Sequence, residues 1–129
     1  MSGSTVAMEI QARPEQLGIL RSMTRSLGLG LGLAIDAAAD LELVAHEIAT
    51  ALIPVAAPGA IVRFEYRVEA IEIEVLISSH TAVPPVLNGL GWHIVRTLVT
   101  DFALGCGSHD PARAGHPVTV GFSWPHPLG

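Results

Sequence analysis

The hydrophobic residues of this chain repeat with two different periods, and the period changes along the sequence. Residues 6–10 alternate between apolar side chains and polar or small ones, which predicts a strand. From about Pro14 to about Leu27, or slightly beyond, apolar residues recur every three or four positions, which predicts a first helix. Residues 41–52 repeat that spacing, so a second helix is predicted with Asp36 as its N-cap.

The alternating pattern returns after the second helix. Residues 61–68 and 71–77 each place an apolar side chain at every second position, and the short link between them predicts a hairpin with one buried face. A loop with adjacent prolines leads to a third helix, and strands are predicted at 102–106 and 118–124. The order β-α-α-β-β-α-β-β predicts one α+β domain over residues 1–129. We expect a two-layer sandwich: a mixed, mostly antiparallel sheet with three helices on one face.

The composition narrows the class of protein. The chain has 129 residues, of which 50% are hydrophobic, enough for the core of a single domain. Its formal net charge of −5 disfavours binding to the phosphates of nucleic acid. The single cysteine, Cys106, excludes an internal disulfide, and the N-terminus does not resemble a signal peptide. No apolar run is long enough to span a bilayer, so we expect a cytoplasmic protein that binds neither nucleic acid nor membrane.

Candidate metal and nucleotide motifs are weak on their own. The six histidines fall on separate elements or in loops without the spacing of a metal site, so we predict none. The glycine-rich run around Gly30 follows a helix, which indicates a helix end and not a dinucleotide-binding loop. Glu47 is a lone carboxylate in the mostly apolar run 43–56, and either a solvated or a catalytic role fits it. The final segment, residues 125–129, is predicted to be loose.

Three segments carry a resemblance to a known family. They are RPEQLGILRSM at 13–23, DLELVAHEIATALI at 40–53 and NGLGWHIVRTLVTD at 88–101. At these intervals, and in this order of strands, they resemble the bacterial anti-sigma factor serine kinases of the RsbW and SpoIIAB type. The resemblance extends from Met8 to about Trp124, and it implies the histidine-kinase-like ATPase fold.

The resemblance also implies roles for particular residues. Glu47 takes the place of the family's general base, which acts on a serine hydroxyl of a partner protein. The turn containing Gly89 and Gly91 takes the place of the family's nucleotide-binding turn. Arg21 matches an arginine that the family uses at its partner interface, and Arg25, one helical turn further along, is predicted to bind the partner as well.

Other positions depart from the family's pattern. Where the family has an Asn that coordinates Mg²⁺, this chain has Ala51, which offers no oxygen ligand. Ile77 stands in place of the Asp that binds adenine, and residues 78–92 contain no Lys or Arg to cover the phosphates. Because phosphoryl transfer depends mainly on metal and electrostatic positioning, we expect no ATP or Mg²⁺ cofactor.

Three hypotheses remain open at this stage. The first is an anti-sigma factor that sequesters an alternative sigma factor, is released by a STAS-type antagonist and forms a homodimer. The second is an active ATP- and Mg²⁺-dependent serine kinase that phosphorylates the antagonist, with Glu47 as catalytic base. The third is reuse of the fold as an adaptor without a sigma partner, since a fold does not fix a function.

Overall fold

A computed structural model describes residues 3–126, and its elements follow the predicted order. The strands are β1 (Ser4–Gln11), β2 (Ile61–Val68), β3 (Glu72–Thr81), β4 (Thr100–Cys106) and β5 (His116–Pro125). The α-helices are α1 (Leu17–Gly30), α2 (Ile35–Leu52) and α3 (Gly89–Leu98). Short 3-10 segments at Pro14–Gln16 and Ile53–Val55 precede α1 and follow α2. None of the helices in the described part of the chain combines the length and apolar character needed to cross a bilayer.

The strands form one sheet in the order β1-β2-β3-β5-β4. Every pairing among the described strands is antiparallel, so the sheet contains no parallel pair there. The register places Met8 opposite Phe64, Phe64 opposite Ile77, and Ile77 opposite Val120. These four side chains therefore form an apolar row across one face of the sheet, and the α+β two-layer prediction is confirmed.

Helices cover this apolar face and leave the other face open. Leu20 of α1, Ile48 of α2 and Val95 of α3 are all fully buried against the sheet. The open face instead carries charged cross-strand pairs, in which Arg63 lies 3.2 Å from Glu9. Such exposed pairs stabilise a sheet only weakly, so the apolar core buried between the sheet and the helices provides most of the driving force for folding.

Two boundaries differ from the sequence predictions. Helix α2 begins at Ile35 with Ala34 as its N-cap, so the assignment of Asp36 as N-cap was wrong. The carboxylate of Asp36 instead lies in the first helical turn, where the helix dipole still favours it. Strand β4 begins at Thr100, two residues before the strand predicted at 102–106. Its Phe102 contacts Trp92 edge to face, with 5.0 Å between the ring centroids. Of the segment predicted to be loose, residues 127–129 lie outside the described part of the chain.

Candidate functional site

Helix α2 directs two adjacent side chains toward different neighbours. Successive residues of an α-helix are rotated by about 100°, so His46 faces α1 while Glu47 faces α3. Nδ1 of His46 lies 3.2 Å from Nη1 of Arg21. The carboxyl group of Glu47 lies against Gly91. One helix therefore separates the predicted partner arginine from the predicted catalytic residue.

A small cavity lies between α2 and the beginning of α3. Its lining residues are Glu47, Thr50, Ala51, Val86, Leu87, Asn88 and Trp92. Its volume is about 150 Å³, whereas pockets that hold drug-sized ligands begin at about 300 Å³. Among these lining residues there is one carboxylate and no cation. The cavity is therefore smaller than such a pocket, and its one charged lining side chain is the carboxylate of Glu47.

The carboxyl group of Glu47 fills the space beside the first turn of α3. A Cβ atom at Gly91 would lie only 2.7 Å from Cδ of Glu47 and 3.0 Å from Oε1. Gly89 has a φ of 89°, a left-handed conformation that glycine adopts without steric cost. The N-terminal end of a helix attracts negative charge, which favours the carboxylate of Glu47 beside this turn. Both predicted cofactor-binding glycines thus lie at this turn.

The residues that the resemblance places at the Mg²⁺ and adenine sites lack the atoms that would bind those groups. Ala51 presents only a methyl group to the cavity. Ile77 is fully buried in the core, and Ser79 donates its hydroxyl hydrogen to the carbonyl oxygen of Ile61 at 2.7 Å. Within residues 3–126, no group of three or more His, Cys, Asp or Glu side chains is arranged to hold a metal ion. Neither Ala51 nor Ile77 therefore supplies the ligand that the resemblance implies for Mg²⁺ or adenine.

The two predicted partner-binding arginines differ in their surroundings. Arg25 forms an ion pair with Glu42 across the α1–α2 contact, with 3.0 Å between Nε and Oε1. Arg21 is exposed, and among the described residues no carboxylate lies within ion-pair distance of it. Within residues 3–126, the one side-chain hydrogen bond of its guanidinium is to His46. Arg21 therefore keeps an uncompensated positive charge at the α1–α2 surface, and Arg25 does not.

The sequence analysis missed the role of His46 and treated it as an isolated histidine. Arg21 and Arg25 are four positions apart on α1, and their partners His46 and Glu42 are four positions apart on α2, in the reverse order. Four positions correspond to about one helical turn. That spacing is visible in the sequence once α1 and α2 are taken as antiparallel neighbours. The structure also brings the rings of His109 and His116 to a centroid distance of 5.4 Å in the β4–β5 connection.

Comparison with characterised proteins shows that this chain is similar to an anti-sigma factor. No protein-family profile matches the chain. The anti-sigma-F factor RsbW of Mycobacterium tuberculosis, from strains CDC 1551 / Oshkosh and ATCC 25618 / H37Rv, is 32% identical over 114 residues. The match covers 85% of this chain and 67% of the relative. The similarity therefore extends over most of the fold and is not confined to a single motif.

Proposed function

This chain belongs to the RsbW-like family of anti-sigma factors, and we propose that it binds an alternative sigma factor and keeps it from RNA polymerase. The observation that carries this proposal is Arg21, which is exposed and lacks a carboxylate partner among the described residues. An arginine in this state is suited to a charge-assisted hydrogen bond with a partner protein. The bound sigma factor would then present an acidic side chain to the α1–α2 surface.

The same two helices offer apolar area for an interface. Ile19 and Met23 of α1 are 53% and 37% exposed, and Leu43 of α2 is 36% exposed. Interfaces between proteins combine buried apolar contacts with a few strong polar ones, and arginine is frequent among the residues that contribute most. Helices α1 and α2 thus provide both components that a sigma-binding surface requires.

The geometry around Glu47 favours sequestration over phosphorylation. A kinase needs a positioned metal ion and cationic groups around the transferred phosphoryl group. At this site Glu47 lies beside Ala51 and the backbone of Gly91. The volume of the cavity is about 150 Å³. We therefore propose that Glu47 has no catalytic role and that the protein uses no ATP or Mg²⁺.

Release of the sigma factor requires a competing protein, because the proposed mechanism includes no chemical step. We propose that a STAS-type antagonist binds a surface overlapping that of the sigma factor, and that the anti-sigma factor acts in the cytoplasm as a homodimer. Under competition the free sigma concentration is set by the affinities and amounts of the two partners. Transcription of the dependent genes would then respond to the level of active antagonist.

A binding experiment with matched charge reversals tests the proposal. A sigma factor captured from the native cytoplasm is purified, and its Kd is measured for the wild type, Arg21→Glu and Arg113→Glu. Arg113 is an exposed arginine in the β4–β5 connection, so its reversal changes the net charge equally. We expect Arg21→Glu to weaken binding by roughly thirtyfold, as at an interface hot spot of about 2 kcal/mol, and Arg113→Glu to have little effect.

Two results would contradict the proposal. One is capture of no sigma factor by the wild type, and the other is equal weakening by the two charge reversals. Thermal denaturation of both variants serves as the control for folding. Transfer of phosphate from Mg-ATP to a STAS-type protein, abolished by Glu47→Gln, would instead establish the kinase alternative.

A further inference from the structure

A hydrogen bond between Arg21 and His46 requires one particular protonation state of the imidazole. A guanidinium group has only donors, so Nδ1 of His46 must accept the hydrogen bond that spans 3.2 Å. An imidazole whose Nδ1 accepts is neutral and carries its proton on Nε2. The contact therefore exists only while His46 is uncharged.

The guanidinium group of Arg21 is hydrogen-bonded through one of its nitrogen atoms. Nη1 lies 3.2 Å from Nδ1 of His46, while Nη2 lies beside Gly18, 3.9 Å from the position that a Cβ atom would take there. The side chain thus runs back toward the start of α1 and then across to α2. Because arginine has five N–H donors, donors remain for a carboxylate that approaches from the solvent.

The surrounding charges do not provide a substitute for His46. The other charged or titratable side chains on the three helices are Arg25, Asp36, Asp40, Glu42, Glu47, His93 and Arg96. Glu42 is paired with Arg25 at 3.0 Å, and Glu47 lies at the opposite side of α2, beside α3. Within the described residues, His46 is thus the only hydrogen-bond acceptor that holds the guanidinium of Arg21.

We propose that neutral His46 is a positioning residue, which presents Arg21 to an acidic side chain of the sigma factor. This inference rests on the proposed function and adds a pH dependence to it. Protonation of His46 removes the acceptor and places a second positive charge beside the guanidinium. Arg21 then leaves its position, and the partner must order a mobile side chain on binding, which costs affinity.

The state of His46 is tested on the chain alone, without any partner. Long-range ¹⁵N–¹H NMR spectra of the imidazole report which ring nitrogen carries the proton. In the wild type at about pH 8, where a histidine is mostly neutral, we expect His46 to be protonated at Nε2, with Nδ1 as acceptor. In Arg21→Ala the Nδ1 signal is expected to shift. A wild-type His46 protonated at Nδ1, or a signal unaffected by Arg21→Ala, would overturn the inference.

The positioning role is tested with the captured sigma factor. Its Kd is measured from about pH 8 to about pH 5.5, the range over which histidine titrates, for the wild type, His46→Asn and His46→Leu. Asn carries an acceptor oxygen but does not titrate, whereas Leu has no acceptor. We expect wild-type binding to weaken by roughly tenfold toward acid, which corresponds to the loss of one hydrogen bond to a charged group.

The two variants separate positioning from a merely structural role. His46→Asn is expected to bind with a nearly flat pH profile close to the wild-type affinity at neutral pH, and His46→Leu to bind roughly tenfold more weakly throughout. Identical pH profiles for wild type and His46→Asn, or wild-type affinity for His46→Leu, would refute the positioning role. If the wild type binds no sigma factor at any pH, the proposed function fails, and the NMR result still decides the state of His46.

Discussion

The carboxyl group of Glu47 on α2 lies directly against the backbone of Gly91 on α3, in space that a larger residue at position 91 would occupy. Cδ of Glu47 is 2.7 Å from the place of a Cβ atom there. The contact joins the two helices that carry the predicted catalytic residue and the predicted nucleotide-binding turn. In this chain the carboxylate thus takes part in helix packing.

Replacement of Gly91 by Ala is expected to leave stability nearly unchanged. Alanine favours a helix by about 0.5–1 kcal/mol over glycine, but its Cβ forces the carboxyl group of Glu47 away from the helix end. The two effects oppose each other, so the free energy of unfolding is expected to change by less than about 0.5 kcal/mol. Urea denaturation measures it.

A double-mutant cycle with Glu47→Ala isolates the free-energy cost of displacing the Glu47 carboxyl group. In the Glu47→Ala background the clash with Gly91→Ala is absent, so the substitution is expected to stabilise by the full helix propensity of about 0.5–1 kcal/mol. Additive effects of the two substitutions would show that the carboxyl group does not occupy this space in solution.

Restoring one oxygen ligand is not expected to restore nucleotide binding. Ala51→Asn supplies the side chain that the family uses for Mg²⁺, but the cavity of about 150 Å³ and the adjacent carboxylate of Glu47 remain. A ligand present at about 100 times its Kd stabilises a protein by about 2.7 kcal/mol. Because we expect neither the wild type nor Ala51→Asn to bind Mg-ATP, we expect no rise in Tm for either protein at millimolar Mg-ATP. A rise of several degrees in the wild type would support the kinase alternative.

The order of elements was predictable from the sequence because the apolar residues are strictly periodic. The alternation in residues 61–68, for example, matches the buried and exposed sides of β2. The N-cap of α2 was not predictable, since Asp36 is a common capping residue and the helix begins instead after Ala34. The preference of a residue for the capping position predicts the start of a helix only weakly when the residues before it also fit a helix.

The candidate site was predictable only in part, for a different physical reason. The resemblance implies that Ala51 and Ile77 stand where the family has ligands for Mg²⁺ and adenine, and the loss of those ligands stays a prediction. The contacts of Arg21 with His46, and of Glu47 with Gly91, depend on which neighbouring helix each side of α2 faces. Sequence spacing defines the two sides of a helix, but the packing of the three helices determines what each side meets.

Two glycines of α1 are expected to respond in opposite directions to substitution by Ala. A Cβ atom at Gly18 meets only Nη2 of Arg21, at 3.9 Å, which is an ordinary contact. Gly18→Ala is therefore expected to stabilise by about 0.5–1 kcal/mol. A Cβ atom at Gly28 would lie 3.2 Å from Cβ of Ala38 and 3.3 Å from Cδ1 of Leu33, so Gly28→Ala is expected to destabilise by about 1–3 kcal/mol.

Urea denaturation of the two glycine variants provides the comparison. Each variant gains the same methyl group in the same helix, so Gly18→Ala is the matched control for Gly28→Ala. Destabilisation by both substitutions would show that α1 does not tolerate a side chain at Gly18, and stabilisation by both would show that α1 and α2 pack less closely at Gly28 than the structure indicates.

The buried hydroxyl of Tyr66 is expected to make the protein sensitive to alkaline pH. Burial raises the pKa of Tyr66 from 10.0 to about 12, and the adjacent Thr24 hydroxyl offsets part of that effect. The Tyr66 hydroxyl has no hydrogen-bond partner within the described residues, and the Thr24 hydroxyl donates its hydrogen to the carbonyl oxygen of Leu20 at 2.8 Å. The neutral phenol is thus favoured in the folded state mainly by exclusion from water.

The sign of the effect follows from the raised pKa. Since the folded protein holds this proton more tightly than the unfolded chain, stability is fully present below about pH 10 and declines as the pH rises through about 12. The total loss is expected to be about 2–3 kcal/mol. Tyr66→Phe removes the titrating group and should abolish this decline, with little cost at neutral pH because the lost hydroxyl has no partner.

The composition of the chain makes this measurement unusually selective. All seven basic residues are arginines, which keep their charge throughout the alkaline range, and Tyr66 is the one tyrosine. Performing the urea titrations in a Cys106→Ser background removes the remaining side chain that titrates near this range, and the phenolate absorbance then reports Tyr66 alone. An equal alkaline decline in Tyr66→Phe would show that the buried hydroxyl is not its source, and ionisation near pH 10 in the folded protein would show that Tyr66 is accessible to water.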